Sequence, residues 1–373
     1  SISQAHGYRS VLLACNIVIL AGALTYAMAT SLPLLIAAQI VLGLGSGSLG
    51  VTRSYVAELT GKRRRTELLA YLTAVQYAGF TVMPLAGAGL AVLGDSLPPR
   101  VSTAGPLPLT AFTLPALTMA VLAVLALLLL LLVFKDPPRT PAAEESSTHS
   151  RPGTPAPAAD ELLTGPPEGG CVRCGSWTKH DGVVLGGLLL NVTTKGTIAM
   201  YETLGSEYAI ETYGWDPAKA GVAFSAFGAM GVMALLSFRG LVKRFNDVQL
   251  VLGGVLVMAG CCLLLVHLGG EAIALWRFLL SVGVMYSSAY PIGHTAVLGL
   301  FSKIVGKGPQ GAMLGWFGSA GSLARIIFPL LAGTMSHFLG DSSIFALGAI
   351  MLSASWALVT VGAPTLLAYL HDD

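Results

Sequence analysis

Residues 111–134 read AFTLPALTMAVLAVLALLLLLLVF, an unbroken run without a charged side chain. Crossing a hydrocarbon core of about 30 Å takes about 20 helical residues. A run this long and this apolar is a membrane span, and it sets how its neighbours are read. Three comparable runs precede it, Tyr8–Ala29, Leu32–Leu59 and Thr66–Leu93. Six follow it: Gly182–Leu204, Ala218–Leu236, Val248–Leu268, Leu275–Phe301, Gly311–Phe338 and Ile344–Leu370. The expected fold is therefore all-α and polytopic, with about ten spans. Composition agrees, because only 11% of the 373 residues are charged, against about 25% in soluble domains. A soluble chain with 54% hydrophobic residues would expose apolar patches it could not cover, so lipid is the natural solvent.

Between the fourth and fifth runs, residues 135–180 are rich in Pro, Ser, Thr, Gly and Ala. Such a segment cannot bury a core and reads as a disordered linker. The expected organisation is a four-span bundle over 1–134, a linker over 135–180 and a six-span bundle over 181–373. Basic residues cluster at Lys62–Arg65, at Arg239, Lys243 and Arg244, and at Lys303 and Lys307. Loops rich in Lys and Arg face the cytosol. A cytoplasmic linker puts all three clusters on that side, together with Ser1 and Asp373.

The two halves share a pattern. Gly79-Phe-Thr-Val-Met-Pro84-Leu-Ala-Gly87 in the third run parallels Ala324-Arg-Ile-Ile-Phe-Pro329-Leu-Leu-Ala-Gly333 in the ninth. Each sets a proline five residues after a small residue, with a glycine shortly beyond. Internal repeats of this sort mark transporters that rock two bundles about a central site. Matching the halves as six plus six leaves the first two of twelve helices outside the chain. Gly45, Gly79, Pro84, Gly87 and Pro329 are the expected gating or helix-packing positions, because small residues let membrane helices approach closely.

Net charge is only +2, and nothing in it suggests a nucleic-acid partner. Cys15, Cys261 and Cys262 sit in apolar runs and read as small hydrophobes. Cys171 and Cys174 form one CxxC without the second pair a zinc site needs. No metal, cofactor or enzymatic activity is expected, since no carboxylate pair, ligand cluster or nucleophile with a base stands out in the spans. The glycine-rich Gly43–Gly50 stretch lacks the Gly-Lys-Ser/Thr ending of a nucleotide loop.

Ionised groups inside the spans need a reason, because each costs about 2.5–3.5 kcal/mol at the bilayer centre on insertion scales. Arg53 lies nine residues before Lys62, or about 13 Å along a helix. Arg325 falls mid-way through its run. Lys195 and Glu202, seven apart, share a helix face, as do Tyr290 and His294, four apart. Arg53, Tyr55, Lys195, Glu202, Tyr290, His294 and Arg325 are the expected solute or ion pathway. Each has a structural alternative: a fixed ion pair for the arginines, Lys195 as partner for Glu202, an interior hydrogen bond for His294. Gln39, Gln76 and Asn191 are candidate polar groups of the same cavity, and Glu58 an interfacial partner for Arg63–Arg65.

These residues resemble the major facilitator superfamily. Gly79–Gly87 is similar to its fifth-helix motif, with Met83 where a glycine is usual. Phe238-Arg-Gly-Leu-Val-Lys-Arg-Phe-Asn-Asp247 is similar to a degenerate copy of the motif between helices eight and nine, and Gly7-Tyr8-Arg9 to the tail of its counterpart between helices two and three. Arg53-Ser-Tyr55, Glu202, Tyr290-Pro291, Pro309–Trp316 and Gly321–Ile326 resemble a lysosomal branch of that superfamily, with vacuolar phosphate carriers the nearest competing one. The resemblance implies an alternating-access carrier of a small solute in an endolysosomal or vacuolar membrane, with a proton or other coupling ion as second partner, or an anion-conducting protein on the same scaffold. Lys195 stands where that branch has an apolar residue. Counting Arg53, Lys195 and Arg325 against Glu202, the mid-membrane balance is positive, so the expected solute is anionic. A non-transporting receptor would instead fill the cavity with apolar side chains.

Overall fold

The computed structural model describes residues 7–96, 109–110, 113–135, 179–267, 272–305 and 310–371. The described residues form helices α1 (Tyr8–Ala27), α2 (Leu32–Gly45), α3 (Ser48–Leu59), α4 (Lys62–Ser96), α5 (Thr113–Leu132), α6 (Lys179–Tyr213) and α7 (Pro217–Leu236). They continue with α8 (Phe238–Arg244), α9 (Asp247–Leu265), α10 (Leu275–Val284), a π turn (Met285–Ala289), α11 (Tyr290–Ile304), α12 (Gln310–Leu339) and α13 (Asp341–His371). Nine helical stretches among the described residues are long and apolar enough to cross a membrane. The run Leu275–Ile304 is a further continuous helical rod, widened at its π turn. That turn ends two residues before Pro291, which has no N–H to give to the turn before it.

Several boundaries differ from the sequence expectation. The run Leu32–Leu59 breaks at Ser46 and Gly47. Lys62–Arg65 form the first turn of α4 rather than a loop. Helix α6 continues past Leu204 to Tyr213, through what read as a loop. Its added turns carry Glu207 and Glu211, which lengthen a helix beyond the lipid at no desolvation cost. Gly214 ends it with φ 63°, a backbone conformation glycine adopts freely. Its N–H bonds the Ile210 carbonyl at 3.1 Å. Apart from residues 135, 179 and 180, the expected linker lies outside the described residues, as do Cys171, Cys174 and Lys307.

Large apolar side chains such as Leu129, Leu132, Leu330 and Val361 are exposed, which suits contact with lipid tails. Helix contact cannot then rest on hydrophobicity and comes from close packing of small residues. Helix α1 packs on α2 and α5, α4 on α7 and α11, α3 on α12, α6 on α11 and α12, and α9 on α11 and α13. The tightest approach joins α9 to α11: a methyl group at Gly293 would fall 3.1 Å from the Gly254 Cα. Gly196 faces the Phe328 ring, Gly228 faces Thr81, and Gly299 faces Thr66.

A valine at Gly293 is expected to destabilise the detergent-solubilised protein by about 1–3 kcal/mol, seen as a lower unfolding temperature. Valine at Gly253, where an added methyl meets nothing within 4 Å, changes backbone propensity alike and should leave that temperature unchanged or higher.

Candidate transport site

Three polar layers stack along the faces where α3 and α4 meet α6, α11 and α12. The first lies at the basic-loop end. Arg65 of α4 donates from Nη1 to the Ser302 carbonyl of α11 at 2.9 Å and from Nη2 to the Thr60 carbonyl at 3.3 Å. Ser302 is in the last turn of α11, where carbonyls have no helical partner. A guanidinium there bonds a terminal carbonyl and opposes the negative end of the helix dipole. Thr66, fully buried, presses on the surface left bare by Gly299. Arg239 and Glu67 approach to 3.4 Å, but this exposed pair adds little. Buried Asp247, in the first turn of α9, pairs with Lys303 near the end of α11.

The second layer sits deeper. His294 is eight residues before Ser302 on α11, about 12 Å along the axis. Its ring stacks on Tyr290 at 5.1 Å and 10°, and on Phe317 at 6.2 Å and 28°. Its Nδ1 lies 3.2 Å from Thr194 Oγ1. Asn191, one turn earlier on α6, donates from Nδ2 to the Phe317 carbonyl at 2.6 Å. Lys195 crosses from α6 towards α12 over Gly321, where a methyl would come within 2.6 Å of the lysine Nζ. A side chain there would displace the lysine from this path. Arg53 donates from Nη2 to Gln76 Oε1 at 3.1 Å. Arg53, Lys195 and His294 are 4%, 8% and 3% exposed.

In the third layer Arg325 forms an ion pair with Glu202, each side chain about a third exposed (34% and 35%). The Arg325 guanidinium also lies 5.6 Å from the centre of the Phe80 ring. Tyr77 and Tyr290 rings approach at 6.1 Å. Arg53, Lys195 and Arg325 are all within electrostatic reach of His294. The third layer is thus more exposed than the second.

Arg53, Lys195, Glu202, Tyr290, His294 and Arg325 come together in this stack. Tyr55 does not. Two residues beyond Arg53 on α3, it points about 200° around the helix and packs against Tyr8 and Phe134 at 5.3 and 5.2 Å. There it lines a separate cavity of about 860 Å³ with Asn16, Thr52 and Lys135. Glu202 pairs with Arg325, not with Lys195. Gln39 is exposed on α2, while Gln76 joins the cluster. Arg65 turns to backbone carbonyls rather than to Glu58. Gly45 packs closely on Cys15 and Ile19, but added methyls at Gly79 and Gly87 meet nothing within 4 Å, so neither permits a close approach. The side chain of Pro84 lies outside the described residues, and Pro329 is accommodated within α12. Neither the Arg65–Ser302 contact nor the clearance at Gly321, Gly299 and Gly228 is legible in the sequence, because a glycine's packing partner is set by the neighbouring helix.

A model of the Major Facilitator Superfamily matches residues 1–329. The chain belongs to that superfamily. It is similar to major facilitator superfamily domain-containing protein 8 of Xenopus laevis, with 24% identity over 362 residues covering 83% of this chain and 68% of that protein. Among solved structures it resembles the human organic anion transporter MFSD10 (TETRAN), at TM-score 0.69 and 18% identity over 96% of this chain and 78% of that one. It also resembles the Escherichia coli fucose:proton symporter, at TM-score 0.68 and 14% identity over 96% and 85%. This superfamily member is therefore a multi-pass, all-α membrane protein with the two-bundle transporter fold.

Arg65→Ala should loosen the basic-loop end. In a cysteine-free background carrying Thr66→Cys, maleimide labelling of the solubilised protein should speed up about tenfold, as expected for losing a buried charge-assisted bond. Arg239→Ala should leave the rate near that of the parent.

Proposed function

We propose that this chain carries a small anionic solute across its membrane by alternating access. One observation carries the reading: buried Arg53 and Lys195 and part-exposed Arg325 lie within electrostatic reach of one another, and among the described residues a single carboxylate, Glu202, pairs with them, on Arg325. Three positive charges against one leave a surplus of two. Desolvating a charge without a partner is costly, and a mobile anion is the counter-charge that offsets it. The alternating-access part rests on the closed basic-loop layer beneath more exposed groups. Parting α4 from α11 and closing the far side would present the same cations to the other face. In this reading residues 1–134 and 181–373 form the two moving bundles, and the Glu202–Arg325 pair is the candidate site for a coupling proton. The printed names of the structural relatives, an organic anion transporter and a proton symporter, are compatible with it. Residence in an endolysosomal or vacuolar membrane rests on the sequence resemblance, and a cytosolic position for the basic loops rests on their charge.

The protein reconstituted in liposomes should show saturable anion counterflow. Arg53→Gln and Arg325→Gln should each lower it by about tenfold or more, the scale set by losing a buried charged contact. Unchanged flux and selectivity in both variants would discard the anionic cargo. A steady, non-saturating current without counterflow would replace the carrier with an anion channel.

A further inference from the structure

The hydrogen bonds in the second layer fix more of the cargo's chemistry than its charge. Thr194 has one hydroxyl proton, and its Oγ1 lies 2.9 Å from the Leu190 carbonyl of its own helix and 3.2 Å from that of Asn191. Donated along the shortest of these contacts, the threonine proton goes to the Leu190 carbonyl. Thr194 Oγ1 is then the acceptor in its 3.2 Å contact with His294, and Nδ1 of the imidazole carries the hydrogen. In the neutral ring the other nitrogen is a bare acceptor. That atom, Nε2, is buried and has no hydrogen-bond partner among the described residues.

The same proton count applies to its neighbours. Asn191 must turn its amide nitrogen to the Phe317 carbonyl, which leaves Oδ1 as a second buried acceptor without a donor. On the donor side, Arg53 Nε is buried and unpartnered. Arg325 is already engaged by Glu202, whereas Arg53 meets only the neutral Gln76. Lys195 is likewise without an ion pair among the described residues and within electrostatic reach of Arg53 and His294. The layer therefore lacks a negative charge and also a hydrogen-bond donor. Buried polar groups left unpaired are costly. Water can meet both needs between cargoes, but a solute that displaces it must meet them too. A bare halide offers only charge and a simple carboxylate only acceptors.

We propose that the solute is an organic anion that also carries a hydrogen-bond donor, a hydroxy acid being the simplest class, with its acidic group at Arg53 and Lys195 and its donor on His294 Nε2. This rests on the anionic cargo proposed above and adds a requirement the charges alone do not impose. The groups involved are buried in the arrangement described, so cargo meets them only as the helices move.

The test is ligand-induced thermal stabilisation of the purified full chain, titrated with matched pairs differing by one hydroxyl: glycolate and acetate, lactate and propionate, malate and succinate. In at least one pair the hydroxy acid should bind about tenfold or more tightly than its partner. Thr194→Val removes the acceptor that holds the proton on Nδ1. It should erase the preference for the hydroxy acid, and His294→Phe should do the same. If the phenylalanine variant fails to fold, the valine variant, close to isosteric, carries the test alone. Equal binding within every pair, or a preference that survives Thr194→Val, overturns the donor requirement while leaving an anionic cargo standing. Absence of binding by all six acids, with chloride also without effect, overturns the anionic cargo and this inference with it.

Discussion

Surplus positive charge in the middle of a bilayer is the constraint to which the rest of this structure answers. Lipid cannot solvate a guanidinium or an ammonium group, and among the described residues one carboxylate pairs with the three cations. Glu202 neutralises Arg325. Gln76 gives Arg53 a dipole instead of a charge. Lys195 is given room instead of a partner, by the missing side chain at Gly321. A fold built for stability alone would remove such groups or pair them, because a buried charge without its partner costs several kcal/mol. Their persistence beside polar atoms on Asn191 and His294 that lack partners among the described residues is what the proposed cargo would answer.

The packing around the site follows from the same solvent. With lipid outside, helix faces gain little from apolar contact, so the joints are made where glycine lets backbone or side chain come close. Two kinds of joint result. Gly254 against Gly293 locks α9 to α11 by backbone contact, which neither rotamer change nor sliding relieves. Thr66 over Gly299, with Arg65 on the Ser302 carbonyl, is a side-chain contact between segments on opposite sides of the chain's middle. Breaking it exposes one hydrogen-bonding helix end that water can satisfy. The first kind suits the interior of a moving body, the second the surface between two.

The run of apolar residues at 111–134 made the solvent, and hence the all-helical class, legible at once, since hydropathy and length alone determine what can cross lipid. Charge out of place was equally readable: Arg53, Lys195, Glu202 and Arg325 are conspicuous because lipid penalises them. What the linear pattern could not carry was direction and partnership. Tyr55 enters with Arg53 through the resemblance of the Arg53-Ser-Tyr55 stretch, yet residues two apart on a helix point to opposite faces. Gly79 and Gly87 looked like packing positions, but whether a glycine is needed depends on what the next helix places there. The extension of α6 to Tyr213 was hidden because polar residues continue a helix outside lipid as readily as they form a loop.

The account stands or falls on whether an anion occupies the space between Arg53 and Lys195. Anomalous diffraction from crystals of the protein soaked in an iodinated carboxylate would locate it directly. The predicted result is an iodine peak in the second layer, placing the carboxylate within hydrogen-bonding distance of Arg53 and Lys195 with the ring of His294 alongside. Iodine found only near headgroup-level lysines and arginines, with those two cations still facing each other across water, would contradict it.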